Sequence, residues 1–67
     1  MLFPQSSVIV SGDYDPVARV LILGFRRGYR YRYAGVPQHI YDGLVRAPSK
    51  GRYFDDFIRG EFPSNRC

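Results

Sequence analysis

The apolar positions of this chain follow two periods, and the change between them falls at Gly35. Before it the period is two. Ser7–Ser11 reads Ser-Val-Ile-Val-Ser, short and β-branched, and predicts a first strand. Residues Gly12 to Pro16 are dense in turn formers and predict its end. Val20–Phe25 and Tyr29–Tyr33 predict a second and a third strand, the third a strict alternation of tyrosine and arginine. Between these two, Arg26-Arg27-Gly28 fits a three-residue hairpin loop, a type I turn closed by glycine in the left-handed region. Such a loop pairs Phe25 with Tyr29. Leu21, Leu23, Phe25, Tyr29, Tyr31 and Tyr33 then share one face, and Val20, Ile22, Gly24, Arg26, Arg30 and Arg32 the other.

After Gly35 the period becomes helical. Pro37 suits a first helical position, and Ile40, Tyr41, Leu44 and Val45 follow at helical spacing until Pro48 stops the run. Ser49 is placed to cap a second helix, in which Tyr53, Phe54, Phe57 and Ile58 repeat the spacing, and Gly60 fits a left-handed C-terminal turn. The expected fold is α+β, a three-stranded antiparallel sheet followed by two helices packed on one face, β-β-β-α-α, as one domain over residues 1–67. Phe54 and Phe57 are expected to be buried against Leu21, Leu23 and Phe25.

Composition narrows the function classes. A chain of 67 residues holds one small core, and domains near this size bury only about 60% of their unfolded surface. The one cysteine, Cys67, cannot form a disulfide within the chain, and one Cys with one His cannot supply a structural zinc site. No metal or cofactor is expected, and the setting is expected to be reducing and cytoplasmic. The longest apolar run, Val20 to Leu23, is too short to span a bilayer, and Pro4 interrupts any leader-like start, so no membrane partner is expected. Net charge is +4, from ten basic and six acidic residues, nine of the basic ones arginine. Residues 1–34 carry five arginines against two aspartates, a net of +3.

The residues that mark these elements also form a recognisable series. Ser6-Ser7-x-Ile9, Tyr14-Asp15-Pro16, Leu21-x-Leu23-x-Phe25-x-x-Gly28-x-x-Tyr31-x-Tyr33 and Gly35-Val36-Pro37 resemble a KTSC domain. So do Ile40-Tyr41-x-x-Leu44, Ala47-Pro48-Ser49-Lys50-Gly51-x-Tyr53-Phe54 and Ile58-Arg59-Gly60-x-Phe62-Pro63. The family occurs at the C-terminus of some lysyl-tRNA synthetases and as a stand-alone bacterial or phage protein. The resemblance implies a nucleic-acid-binding role and no catalytic residues, and it places residues 15–19 in a turn. Gly12 and Asp13 depart from the family's usual aliphatic residue and glycine. Ile22 and Gly24 take positions that are often polar or acidic in relatives.

Arg26, Arg27, Arg30 and Arg32 lie within eight residues of Tyr29, Tyr31 and Tyr33. Guanidinium groups meet phosphates and flat rings meet bases, the pairing that single-stranded nucleic acid requires. The strand period separates the two sets, so the arginines form the expected phosphate track, Tyr31 and Tyr33 join the core, and Tyr29 at the sheet end is the candidate for base stacking. Ser49-Lys50-Gly51-Arg52 is a second candidate anchor. Its first helical turn has no carboxylate, and Lys50 and Arg52 flank open backbone donors. Enzyme signals are poor. Asp55 and Asp56 are adjacent on a helix and point about 100° apart, and the serines have no nearby histidine. The expected function is a non-catalytic binding module for nucleic acid, RNA ahead of DNA. The alternative is a protein-interaction module or weak homodimer that uses an outward apolar patch of Val8, Val10, Val20 and Ile22.

Overall fold

The computed structural model describes residues 1–67, an antiparallel sheet with two helices on one face. The strands are β1 (Ile9–Asp15), β2 (Val20–Phe25), β3 (Arg30–Tyr33) and β4 (Ser64–Arg66), in that order across the sheet, and the helices are α1 (Gln38–Arg46) and α2 (Lys50–Phe57). The sheet therefore has four strands where the sequence predicts three. The added strand is Ser-Asn-Arg, wholly exposed, and it offers no apolar alternation to read. It pairs Tyr31 with Arg66, Arg32 with Asn65 and Tyr33 with Ser64.

The hairpin between β2 and β3 has the predicted register. Gly28 stands at φ 97°, its N–H donates to the Phe25 carbonyl at 2.9 Å, and the Phe25 N–H donates to the Tyr29 carbonyl at 2.9 Å. Leu21 faces Tyr33 and Leu23 faces Tyr31 across the two strands.

The first strand starts and ends later than predicted. Gly12, Asp13, Tyr14 and Asp15 pair with Leu23, Ile22, Leu21 and Val20, and the turn falls on residues 16–19. There the Asp15 carboxylate accepts from the N–H groups of Val17 and Ala18. Turn-forming residue types are held in the strand because Gly12 gives up its side-chain space to the Phe3 ring, about 3.1 Å from where a Cβ would lie. A bulge between Ile9 and Ser11 shifts the register, so Ser11 stands opposite Gly24 on the outer face and Gly12 opposite Leu23 on the inner one. Residues 1–3 run along the free edge of β1, where the Phe3 N–H donates to the Val10 carbonyl and the Gly12 N–H to the Met1 carbonyl.

The core lies between sheet and helices. Phe3, Ile9, Leu21, Leu23, Phe25, Tyr33, Val36, Leu44 and Ile58 are buried. Tyr14 ties β1 to the helical side. Its ring stacks on Tyr41 of α1 (centroids 5.2 Å apart), and its hydroxyl donates to the Val36 carbonyl. Helix α2 uses two stripes. Phe54 and Ile58 turn to the sheet, with Phe54 edge-on to Phe25 and Tyr33 at 5.5 and 5.9 Å. Tyr53 and Phe57 form the other stripe and pack on each other at 4.6 Å. Phe57 stays 49% exposed, contrary to its predicted burial. It lies four residues beyond Tyr53 and belongs to that stripe, which turns along the side of the sheet-facing one. Tyr53 crosses to α1, where its hydroxyl donates to the Ile40 carbonyl at 3.0 Å. The ring occupies the place a Cβ on Gly43 would take.

Ile58→Ala is therefore expected to lose about 2–5 kcal/mol of stability in urea unfolding, and Phe57→Ala less than half of that. Gly43→Ala should destabilise by about 1–3 kcal/mol through overpacking against Tyr53, although alanine is the better helix former by about 1 kcal/mol. A Gly43→Ala protein that melts above the parent would contradict that contact.

Candidate nucleic-acid interface

The register of β2 and β3 sends the arginines and the tyrosines to opposite sides of the sheet. Arg30 and Arg32 project from the outer face beside Gly24 and Ile22, about 7 Å apart by the rise of the strand. Arg26 and Arg27 stand in the hairpin at the end of the same two strands. All four are exposed, and none takes part in an ion pair. The arginines that do are on α2 and just past its end, where Arg52 lies 3.9 Å from Asp56 and Arg59 lies 3.4 Å from Asp55.

The expected second anchor is built differently. Ser49 caps α2, its hydroxyl accepting from the Arg52 N–H at 3.3 Å. Lys50 turns away from the helix start. Its ammonium donates to the carbonyls of Val45 and Ala47 at 2.8 and 2.6 Å and lies over the Phe3 ring. It closes the C-terminal end of α1, whose orphan carbonyls attract a cation. The space beside Gly51 is filled by the Val8 side chain, 3.4 Å from where a Cβ would be.

That contact also moves Val8 off the outer face. Ser6–Val8 precede the regular part of β1, and the Val8 carbonyl accepts from the Arg26 N–H at 2.8 Å while its side chain reaches the helix side. The outward apolar patch thus loses one of its four expected members. Val10, Val20 and Ile22 remain, each half-buried. The N-terminal segment folds back along the edge of β1 and sends Phe3 into the core.

On the helix side, Tyr29, Tyr31 and Tyr33 line a groove of about 900 Å³ between β3, α2 and the Gln5–Val8 segment. Tyr29 already has three partners, among them Tyr31 edge-on at 5.6 Å. Phe25 stacks on it at 5.1 Å, and the Arg66 guanidinium lies over it at 5.1 Å. A base stacking there would have to displace Arg66, a residue that sequence reasoning missed because the strand that carries it has no hydrophobic signature. Tyr33 is 5% exposed. Burial first, and then the neighbouring Tyr31 and Tyr29, push its phenol up to about 12. Burial also raises the phenols of Tyr41 and Tyr53.

The model of the KTSC domain matches residues 5–62. This chain belongs to the KTSC domain family. A KTSC domain protein from Yersinia pestis of known crystal structure is 40% identical, superposes with a TM-score of 0.93, and is matched over 100% of this chain and 93% of its own. The four-stranded sheet with two helices is therefore the fold of that protein as well. A lysine–tRNA ligase of Nostoc sp. is 42% identical over 62 residues, which are 92% of this KTSC domain and 11% of the ligase. A protein of Tsukamurella paurometabola is 36% identical over 58 residues, 87% of each chain. The domain thus spans only about a tenth of the ligases it matches, and most of the smaller relative. No helix in it is long and apolar enough to cross a membrane.

The Tyr33 environment sets an alkaline limit. The phenol ionises near 10 when unfolded and near 12 when folded, so between these values the unfolded chain has lost a proton that the folded one still holds. Stability is unaffected by this group below pH 10 and falls as pH rises from 10 to 12. Melting temperatures followed by circular dichroism should decline over that window, and the decline should be shallower in Tyr33→Phe.

Proposed function

We propose that this KTSC domain is a non-catalytic module that binds nucleic acid, RNA ahead of DNA, through Arg26, Arg27, Arg30 and Arg32. One observation carries the reading. Arg30 and Arg32 on the outer face, with Arg26 and Arg27 in the adjoining hairpin, are exposed and free of carboxylate partners, whereas Arg52 and Arg59 are paired and Lys50 is held by backbone carbonyls. Unpaired arginines over a flat sheet face fit phosphates, which are contacted without regard to base sequence. The missing side chain of Gly24 is taken up by the Ser11 hydroxyl across the strand pair, so the arginines stand beside a small, polar patch of the outer face. The RNA preference draws on the relative whose name is lysine–tRNA ligase. Arg52, in a long and exposed pair with Asp56, is kept as an outlying contact, and Lys50 is left out. The protein-interface alternative retains only Val10, Val20 and Ile22 on this face, next to the arginines.

Three or four phosphate contacts on a single strand give a log–log salt slope of roughly −2 to −3. Titration of tRNA and of a short single strand at two salt concentrations should return that slope. Arg30→Gln with Arg32→Gln should weaken binding to both ligands and flatten the slope by about one to two. Binding that survives the double substitution unchanged would remove the arginine face from the reading.

A further inference from the structure

We propose that the groove between β3 and α2 binds a nucleotide, its ring against the aromatic floor with a hydrogen bond to the Tyr33 hydroxyl, and its phosphate at Arg59. Tyr29, Tyr31 and Tyr33 are the tyrosines whose hydroxyls have no partner within the protein, and Tyr33 is the one of the three that is buried. The phenols of Tyr14, Tyr41 and Tyr53 all donate to backbone carbonyls. That of Tyr33, in a residue only 5% exposed, has no partner within the protein. No side-chain oxygen or nitrogen of the molecule is both sealed from solvent and unpartnered, so this hydroxyl opens onto the groove it lines. Burial keeps it protonated well beyond neutral pH, a neutral donor or acceptor for an occupant.

The surroundings specify the occupant. Half-buried Tyr31 and Phe54 border the groove with ring surfaces on which a flat heterocycle can stack. Arg59 lines the same groove as Tyr33, so one ligand in it can reach the hydroxyl and the guanidinium together. Asp55 holds Arg59 only through an exposed contact at 3.4 Å, the kind of pair that contributes little and that a phosphate can displace. The volume of about 900 Å³ is at the upper end of small-molecule sites, about 300–1,000 Å³. Inorganic phosphate would leave the rings and the hydroxyl unused, and a purely apolar ligand would leave the hydroxyl unpaired. A ring joined to a phosphate uses all three. The inference deepens the nucleic-acid reading, yet it does not rest on the arginine face, which lies across the sheet. The same chemistry is offered by a free nucleotide and by one nucleotide of a strand.

The test is an amide chemical-shift titration with adenosine and uridine monophosphates and with a trinucleotide. It uses the parent, Tyr33→Phe, Arg59→Gln and the Arg30→Gln/Arg32→Gln double variant. Shifts should gather at Tyr31, Tyr33, Phe54 and Arg59. Tyr33→Phe should bind about three- to tenfold more weakly, the worth of one hydrogen bond, at an unchanged neutral-pH melting temperature. Arg59→Gln, on an exposed side chain, should weaken binding without touching the core, and it decides the matter if Tyr33→Phe melts lower. The double variant should bind the monophosphates like the parent, so a failed arginine face and a failed groove give different results. Shifts with monophosphates identify a free nucleotide as sufficient, and shifts with the trinucleotide alone identify a strand. No groove shifts with either, or parent-like affinity in both Tyr33→Phe and Arg59→Gln, would overturn the proposal.

Discussion

The register of one hairpin governs the whole molecule. Because the Arg26–Gly28 loop closes Phe25 onto Tyr29, every second residue of β2 and β3 is committed to one side of the sheet. A slip of one residue would exchange the two sets, driving Arg30 and Arg32 into the core and exposing Leu21, Leu23 and Phe25. Gly28 at φ 97° makes the turn possible without strain. The inner layer that results is a chain of aromatic contacts from Tyr29 through Phe25 to Phe54 and Tyr33. It gives α2 its seat, and α2 then supplies the wall of the groove.

Much of this was legible because alternation and helical spacing are consequences of packing. The β2–β3 faces, the Ser49 cap and the two helices all follow from residues that must either be buried or satisfy a backbone group. What escaped did so for identifiable reasons. Gly12 to Asp15 have the composition of a turn, but cross-strand pairing to β2 and the Phe3 ring hold them extended. Residues 64–66 are polar and exposed, and only their partner strand makes them a strand. Simple alternation puts Val8 on the outer face, and it fails where the chain is irregular before the bulge between Ile9 and Ser11.

The candidate sites show the same division. That the arginines and the tyrosines take opposite faces of the sheet was readable from the strand period alone. Lys50 was not, since a lysine one residue after a cap looks free in sequence, and its capture by the Val45 and Ala47 carbonyls depends on how tightly α1 turns into α2. Arg66 beside Tyr29 and the unpartnered hydroxyl of Tyr33 are likewise facts of tertiary structure. The local pattern assigns faces, and the fold decides which polar groups on those faces remain available.

The two shortest stretches of backbone pairing have a consequence for the behaviour of the chain among its copies. Tyr29–Tyr33 is rich in strand-forming aromatics, and in a bare three-stranded meander it would be an open edge able to template another strand. Instead Ser64–Arg66 occupies that edge and residues 1–3 occupy the opposite one. Each new edge is only about three residues long, and one of them is wholly polar. Short and polar margins of this kind disfavour edge-to-edge growth between molecules, and the aromatic strand of the sheet is kept away from them.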